Sequence, residues 1–299
     1  MAEVVSRADF WPVDKVILAY FAFTAAIELV SFRQIPEAGL LLALHAVGVF
    51  LIVAAARATA LTGMLAHAIR IFRHWYPLLF VACCYREMAF LIAAIRHTRA
   101  DQALARLDYA FWGAYPTVWM ERLYSPWLTE SLQIIYTLFL PSMLFVPWLI
   151  WRQKRYAEFR YAAFLLALGF LASYVGYLAV PARGPRFLLE SFQHVPLQGL
   201  WLFDTMQATL NRLERDHYDC FPSGHTEITV LACWLSRSIS DRLFWGYFLY
   251  TLCIVFATVY LRYHYTVDLL AGIVVALVLI LAAPGLYRAL GEKGDSIGD

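Results

Sequence analysis

Charge is what this chain has least of. Asp, Glu, Lys and Arg make up 15% of its 299 residues, against about 25% in soluble proteins, so a water-facing fold of this length would lack the polar surface to cover it. Lysine is scarcer still, at Lys15, Lys154 and Lys293 alone. The 24 basic residues stand against 22 acidic ones, and a net charge of +2 leaves no basic stripe for a nucleic acid to neutralise. No internal repeat, low-complexity tract or Gly/Ser linker interrupts the sequence, which argues against solenoids and flexible multidomain arrays. The five cysteines form no disulfide framework. Cys83, Cys84, Cys233 and Cys253 lie in apolar runs and Cys220 precedes a polar motif, so all five are expected as small buried side chains. Metal-ligand spacings such as H-E-x-x-H or C-x-x-C are missing, and His217, His225 and His264 with Asp219 do not make a ligand set. Neither a metal nor another cofactor is expected.

What the chain has is hydrophobic length. Apolar types account for 62% of residues and mean hydropathy is +0.60. A membrane helix needs about 20 mostly apolar residues, and that ruler finds spans near 16–32, 39–56, 75–95, 131–151, 162–181, 224–236, 243–261 and 266–286. The expected fold class is therefore an all-α, polytopic integral membrane bundle of about eight transmembrane helices. The sixth span is the shortest and opens on Pro222, Ser223, Gly224, His225, Thr226 and Glu227, so it is expected to begin in a cavity and not in lipid. No small-residue cleavage site follows the first apolar stretch, which is expected to remain as a helix. Residues 96–130 mix charges with Leu104, Leu107, Tyr109, Phe111, Trp112, Tyr115, Trp119 and Trp127, the composition of an interfacial amphipathic segment.

Eight spans put both termini on one side. With the termini in the cytoplasm, the inner segments collect all three lysines with Arg7, Arg57, Arg70, Arg73, Arg152, Arg155, Arg160, Arg237, Arg242 and Arg288. The outer segments hold Arg33, Arg96, Arg99, Arg106, Arg122, Arg183, Arg186, Arg212, Arg215 and Arg262, offset by Asp101, Asp108, Glu190, Asp204, Glu214, Asp216 and Asp219. The positive-inside rule favours this orientation, which sets the loops 182–223 and 262–265 together on the outer, extracytoplasmic face.

Polar residues gather in three clusters where apolar helices begin or end. The first is Pro181-Ala182-Arg183-Gly184-Pro185-Arg186, the second Cys220-Phe221-Pro222-Ser223-Gly224-His225-Thr226, and the third Arg262-Tyr263-His264-Tyr265-Thr266-Val267-Asp268. In the second, Ser223 and Gly224 stand at a helix start, where unpaired N–H groups and the positive dipole end favour an anion such as phosphate, with His225 beside it. In the third, His264 and Asp268 are four residues apart and share one helix face. The carboxylate can then accept one ring N–H and leave the other nitrogen with its lone pair, which makes a nucleophile. Arg183 and Arg186 supply guanidiniums whose fork suits phosphate oxygens. Ser223 is read as an oxyanion-binding group and not as a nucleophile, since no G-x-S-x-G elbow surrounds it.

On these motifs the chain resembles the type 2 phosphatidic acid phosphatase superfamily, whose pattern is K-x6-R-P, then P-S-G-H, then S-R-x5-H-x3-D. Pro222-Ser223-Gly224-His225 completes the middle motif, and His264 and Asp268 complete the end of the third. The resemblance covers the last two thirds of the chain and implies a six-helix phosphatase-like core. It divides the chain into 1–74, two added helices, and 75–299, a catalytic membrane domain, in one integrated unit. It implies that His264 attacks phosphorus, Asp268 orients it and His225 protonates the leaving oxygen. Two departures stand out: no lysine lies seven residues before Arg183, which Gly184 follows in place of proline, and Ala257-Thr258 stands where Ser-Arg is expected. Arg262, one turn beyond Thr258, is the candidate to replace the missing arginine, with an interfacial anchor as its other reading.

The text around Arg183 and from Thr258 to Asp268 looks more like the branch of inositol phosphorylceramide synthases, the inositolphosphotransferase-like branch, which moves a phospho-headgroup between lipids. The expected partners are a lipid phosphate or phospholipid and, for transfer, a lipid or polyol acceptor. Hydrolysis and transfer both remain open, and the alternative from another class is a non-catalytic lipid-phosphate transporter or binding protein with a decayed site. Within the third span, Arg86 and Glu87 are expected as a structural pair facing the bundle interior, and Glu28 as a residue near the end of its span.

Overall fold

Proline and serine decide where many of the helices start. Pro12, Pro116, Pro126 and Pro185 each open a helix, where the missing N–H leaves no bond unmade. Ser223 and Ser240 cap two more by accepting the N–H three residues on. The computed structural model describes residues 9–58, 63–96, 99–213 and 218–291. Arg7, Glu214, Arg215, Asp216, His217 and Lys293 lie outside them. Among the described residues the regular structure is helical, with no strand and one isolated bridge between Ala182 and Asp219. In order the helices are α1 (Pro12–Val30), α2 (Ala38–Arg57), α3 (Gly63–Ile95), α4 (Asp101–Trp112), α5 (Pro116–Trp119), α6 (Pro126–Thr137), α7 (Phe139–Arg152), α8 (Tyr156–Ala179), α9 (Pro185–Leu188), α10 (Phe203–Leu213), α11 (Gly224–Ser236), α12 (Asp241–Tyr260) and α13 (Thr266–Leu290).

Every expected span is helical. α2, α3, α8, α12 and α13 are each long and apolar enough to cross a bilayer, and α6 with α7 makes a sixth crossing bent by 45°. α1, with Asp14, Lys15 and Glu28, and α11, with 13 residues, are less apolar or shorter and run beside these full spans. The span expected as continuous over 131–151 is instead broken at Leu138. Pro141 is the cause: its ring collides with the carbonyl four residues earlier, that of Thr137, where α6 ends. α3 starts at Gly63, 12 residues before its expected beginning, and its 33 residues are about 50 Å long, more than the ~30 Å hydrocarbon core needs.

α8 is the axis of the bundle. Its apolar window is 72% buried, against 22–44% for the other single spans, and Phe159, Ala162, Phe164, Leu165, Leu166 and Ala167 are almost wholly enclosed. The outer helices keep one face for lipid, as Leu270, Val274, Val278 and Leu281 of α13 show. Chain ends meet at one end of the bundle: Lys15 Nζ donates to the Leu290 carbonyl at 2.5 Å, Asp9 N to Ala56 O at 3.0 Å and Arg155 Nη2 to Ser238 O at 2.9 Å. At the opposite end Ala100 N reaches Pro181 O at 2.9 Å and Cys220 N reaches Ala182 O at 3.1 Å. All three polar clusters therefore share the end away from the termini.

Candidate active site

The amphipathic segment supplies the clamp that assembles the motif loops. Asp101 and Asp108 are seven residues apart on α4, two turns along one face, and both are buried. The Asp101 carboxylate accepts the N–H groups of Arg183 at 3.1 Å and Gly184 at 2.9 Å and the Tyr265 hydroxyl at 3.3 Å. Asp108 accepts Thr266 N at 2.9 Å, the Thr266 hydroxyl at 2.8 Å and Val267 N at 3.0 Å, so it caps α13. The Arg-Gly-Pro departure from the family pattern has a physical reason here. Gly184 has φ +100°, and a Cβ there would lie 2.5 Å from the Tyr263 carbonyl. Gly272 serves the other side, because a Cβ would meet the Ser223 carbonyl at 2.6 Å and push α13 off the Pro-Ser-Gly-His turn.

His264, Asp268 and His225 converge, and Cys220 joins them. His264 Nδ1 is 2.9 Å from the Cys220 carbonyl oxygen and 3.6 Å from Asp268 Oδ2. The Nδ1–H therefore donates to a backbone carbonyl, with the carboxylate beside it as a fixed negative charge and not as the direct acceptor expected from the sequence. Asp268 Oδ2 is held by Tyr265 N at 2.8 Å and by the Cys220 thiol at 2.8 Å. Burial pushes the Cys220 thiol well above its ordinary pKa, so it stays a donor. The donor atoms of Cys220, His264 and Asp268 lie close enough together to hold an ion, but hydrogen bonds within the cluster occupy the thiol and Nδ1. The other four cysteines divide: Cys84 and Cys233 are buried as expected, whereas Cys83 is exposed on α3 and Cys253 is partly so.

The His225 ring centroid is 5.7 Å from that of His264. Tyr136 of α6 stacks on His225 at 4.5 Å and on Tyr263 at 4.4 Å, and Phe139 tilts against His225 at 4.4 Å. Ser223 is fully buried and its oxygen accepts Thr226 N at 3.3 Å, so its hydroxyl is spent on capping α11. The helix start itself leaves the N–H groups of Gly224 and His225 at the positive end of α11, an arrangement that favours an anion. A cavity of about 220 Å³ ends on Gly224 and His225 and is walled by apolar side chains, among them Leu78, Val81, Phe139, Met143 and Phe170.

Arg183 and Arg186 are brought together over one ring, Phe187, at 4.0 and 4.9 Å. They line a cavity of about 570 Å³ with Phe187, Glu190, Asn211 and Arg212. Arg186 also donates to Asn211 Oδ1 at 2.9 Å and lies 4.9 Å from the Tyr263 ring, so the arginine cavity and the histidines adjoin the same ring stack. Arg212 was not among the sequence candidates.

Arg262 is placed differently. Its backbone is left-handed at φ 66°, and its guanidinium donates to Glu121 Oε1 at 2.9 Å, Gln193 Oε1 at 3.0 Å and Val195 O at 2.6 Å. Both Arg262 and Glu121 are under 10% exposed. Thr258, where the family has arginine, turns its hydroxyl back to Val255 O at 2.8 Å. Arg262 thus ties the turn after α12 to Glu121 and the 193–195 loop and is not a lipid-facing anchor. Removing one member of a buried pair costs about 3–5 kcal/mol. Arg262→Ala and Glu121→Gln are each expected to lower the melting temperature clearly, with the double variant far from additive. A loss of turnover in Arg262→Ala with unchanged melting would instead assign the guanidinium to the phosphate.

The family described as the PAP2 superfamily matches residues 102–282, from α4 through most of α13. No curated protein and no solved structure matches the chain.

Proposed function

The chain belongs to the PAP2 superfamily, and on that premise we propose that it breaks a phosphoester bond of a membrane lipid through a phosphohistidine on His264. Membership supports phosphatase-type chemistry on lipid phosphates in general. The observation that carries the residue assignment is the His264 Nδ1–H directed at the Cys220 carbonyl, which leaves Nε2 unprotonated. Nε2 attacks phosphorus, the P–O bond to the leaving group breaks, and the departing oxygen takes a proton from His225. In the second step His225 removes a proton from the acceptor, whose oxygen displaces the imidazole. Arg183, Arg186 and the α11 N-terminus oppose the charge on the phosphate oxygens. The apolar cavity ending on His225 suits a substrate whose hydrocarbon part stays in the membrane. In this reading α1 and α2 are two added helices before the catalytic unit, whose expected start at 75 falls inside α3 (Gly63–Ile95) and whose matched range starts at 102.

The finer reading is headgroup transfer of the inositolphosphotransferase-like kind. It is favoured by the engagement of Arg262 with Glu121, which leaves fewer cations at the phosphate and so suits a phosphodiester with a single negative charge. Purified protein in lipid micelles is expected to release phosphate from phosphatidic acid or to move a labelled headgroup onto an added polyol or lipid hydroxyl. Vanadate, which adopts the trigonal bipyramid of the transition state, is expected to inhibit either reaction. No product from either substrate class would leave the lipid-phosphate carrier as the reading.

An outer-face active site is our reading, supported by Lys15, Arg57, Arg73, Arg152, Lys154 and Arg155 in the segments expected at the opposite end. Cysteine introduced near Gln193, at the exposed Ser191, is expected to react with an impermeant thiol reagent on intact cells. Labelling that needs lysis would reverse the orientation.

A further inference from the structure

Outside the matched residues 102–282, three membrane helices bring ionisable side chains together. Glu28 of α1, His45 of α2 and Glu87 of α3 are all buried, Glu28 completely. Glu28 lies near the end of α1 as expected but is buried, and the expected interior pair is corrected: Glu87 faces His45 while Arg86 is exposed. Glu28 Oε2 is 3.4 Å from Nδ1 of His45, and Glu87 Oε2 is 3.4 Å from Nε2. Thr24, one turn before Glu28, also brings its hydroxyl within 3.4 Å of Nε2. Both Glu28 oxygens, Glu87 Oε1 and His45 Nδ1 have no hydrogen-bond partner. Polar atoms left bare inside a membrane protein are costly and call for a ligand.

Charge and spacing say which ligand. Two carboxylates with a neutral imidazole carry a charge of −2, which one divalent cation cancels. A tetrahedral ion with ligands at about 2.0–2.1 Å sets neighbouring donors about 3.4 Å apart, the separation found on each edge of the imidazole. A mixed imidazole–carboxylate set suits zinc, whereas magnesium and calcium prefer oxygen alone. One ring nitrogen serves one ion, so the carboxylate on the other edge must turn toward it, a small movement when one donor atom from each residue already lies within 4.8 Å of the others. We propose that Glu28, His45 and Glu87 bind one zinc ion that fastens α1 and α2 to α3, a structural site separate from the phosphate chemistry.

The test is elemental analysis of the full chain, purified in detergent through a tag that uses no metal resin. The wild-type protein is expected to hold about one zinc per chain, and Glu28→Gln and Glu87→Gln to hold none. His264→Ala, which dismantles the Cys220–His264–Asp268 cluster, is expected to keep its zinc. Chelator-stripped His264→Ala is also expected to melt higher when zinc is restored, and that arm stands even if the glutamine variants fail to fold. Zinc lost in His264→Ala but kept in Glu87→Gln would overturn the assignment. No zinc in any preparation, with no shift on addition, would equally overturn it and leave protons to neutralise the triad. Because these readouts are composition and melting, they can fail while the catalytic reading stands, and the reverse.

Discussion

Replacing His264 by alanine is expected to lower lipid-phosphate turnover by roughly 10⁴-fold or more with little change in melting temperature. The magnitude follows from what the imidazole does alone. Its Nδ1–H is committed to the Cys220 carbonyl at 2.9 Å and is flanked by Asp268 at 3.6 Å, so in the proposed reaction Nε2 is the nucleophile and no neighbour can stand in for it. His225 is 5.7 Å away, centroid to centroid, and is stacked on Tyr136. The scaffold survives the change because Asp268 keeps its bonds to Tyr265 N and the Cys220 thiol. A His264→Ala enzyme within an order of magnitude of wild type would remove His264 from the reaction.

His225→Ala is expected to cost about 10²–10⁴ in turnover, the usual worth of a general acid, and the loss should depend on the leaving group. A lipid alkoxide needs the proton that His225 supplies, whereas nitrophenolate leaves without it. The variant should therefore be crippled on a lipid phosphate yet close to wild type in its first step on a nitrophenyl phosphoester. Equal losses on both substrates would mean that His225 positions the phosphate and does not protonate the leaving oxygen.

The parts of this architecture that depend on side-chain type were legible in the sequence. Hydrophobic length located the five long apolar helices and the bent pair, and the motifs singled out His225, His264 and Asp268, which the structure brings near one another. The parts that depend on backbone atoms were not. Asp101, Asp108 and Glu130 each grip main-chain N–H groups of distant segments, Glu130 taking those of Leu200, Trp201, Leu202 and Phe203. An N–H group has no residue identity, so such a partner leaves no motif. Cys220 escaped for the same reason: it works partly through its carbonyl, and its burial alone matched the reading of a small apolar side chain. The partners of Arg262 were not legible because helical spacing from Thr258 ignores both the end of α12 at Tyr260 and the loop that meets the guanidinium, Gln193 and Val195 being nearly 70 residues away. The break at Leu138 had a signal, Pro141, that hydropathy alone passes over.

The central claim is a covalent phosphorus on His264. Protein quenched in alkali during turnover of a phosphorus-labelled lipid substrate, where phosphohistidine survives, should carry label on the peptide containing His264, and on none in the His264→Ala variant. Label on another residue, or label undiminished in that variant, would contradict the account.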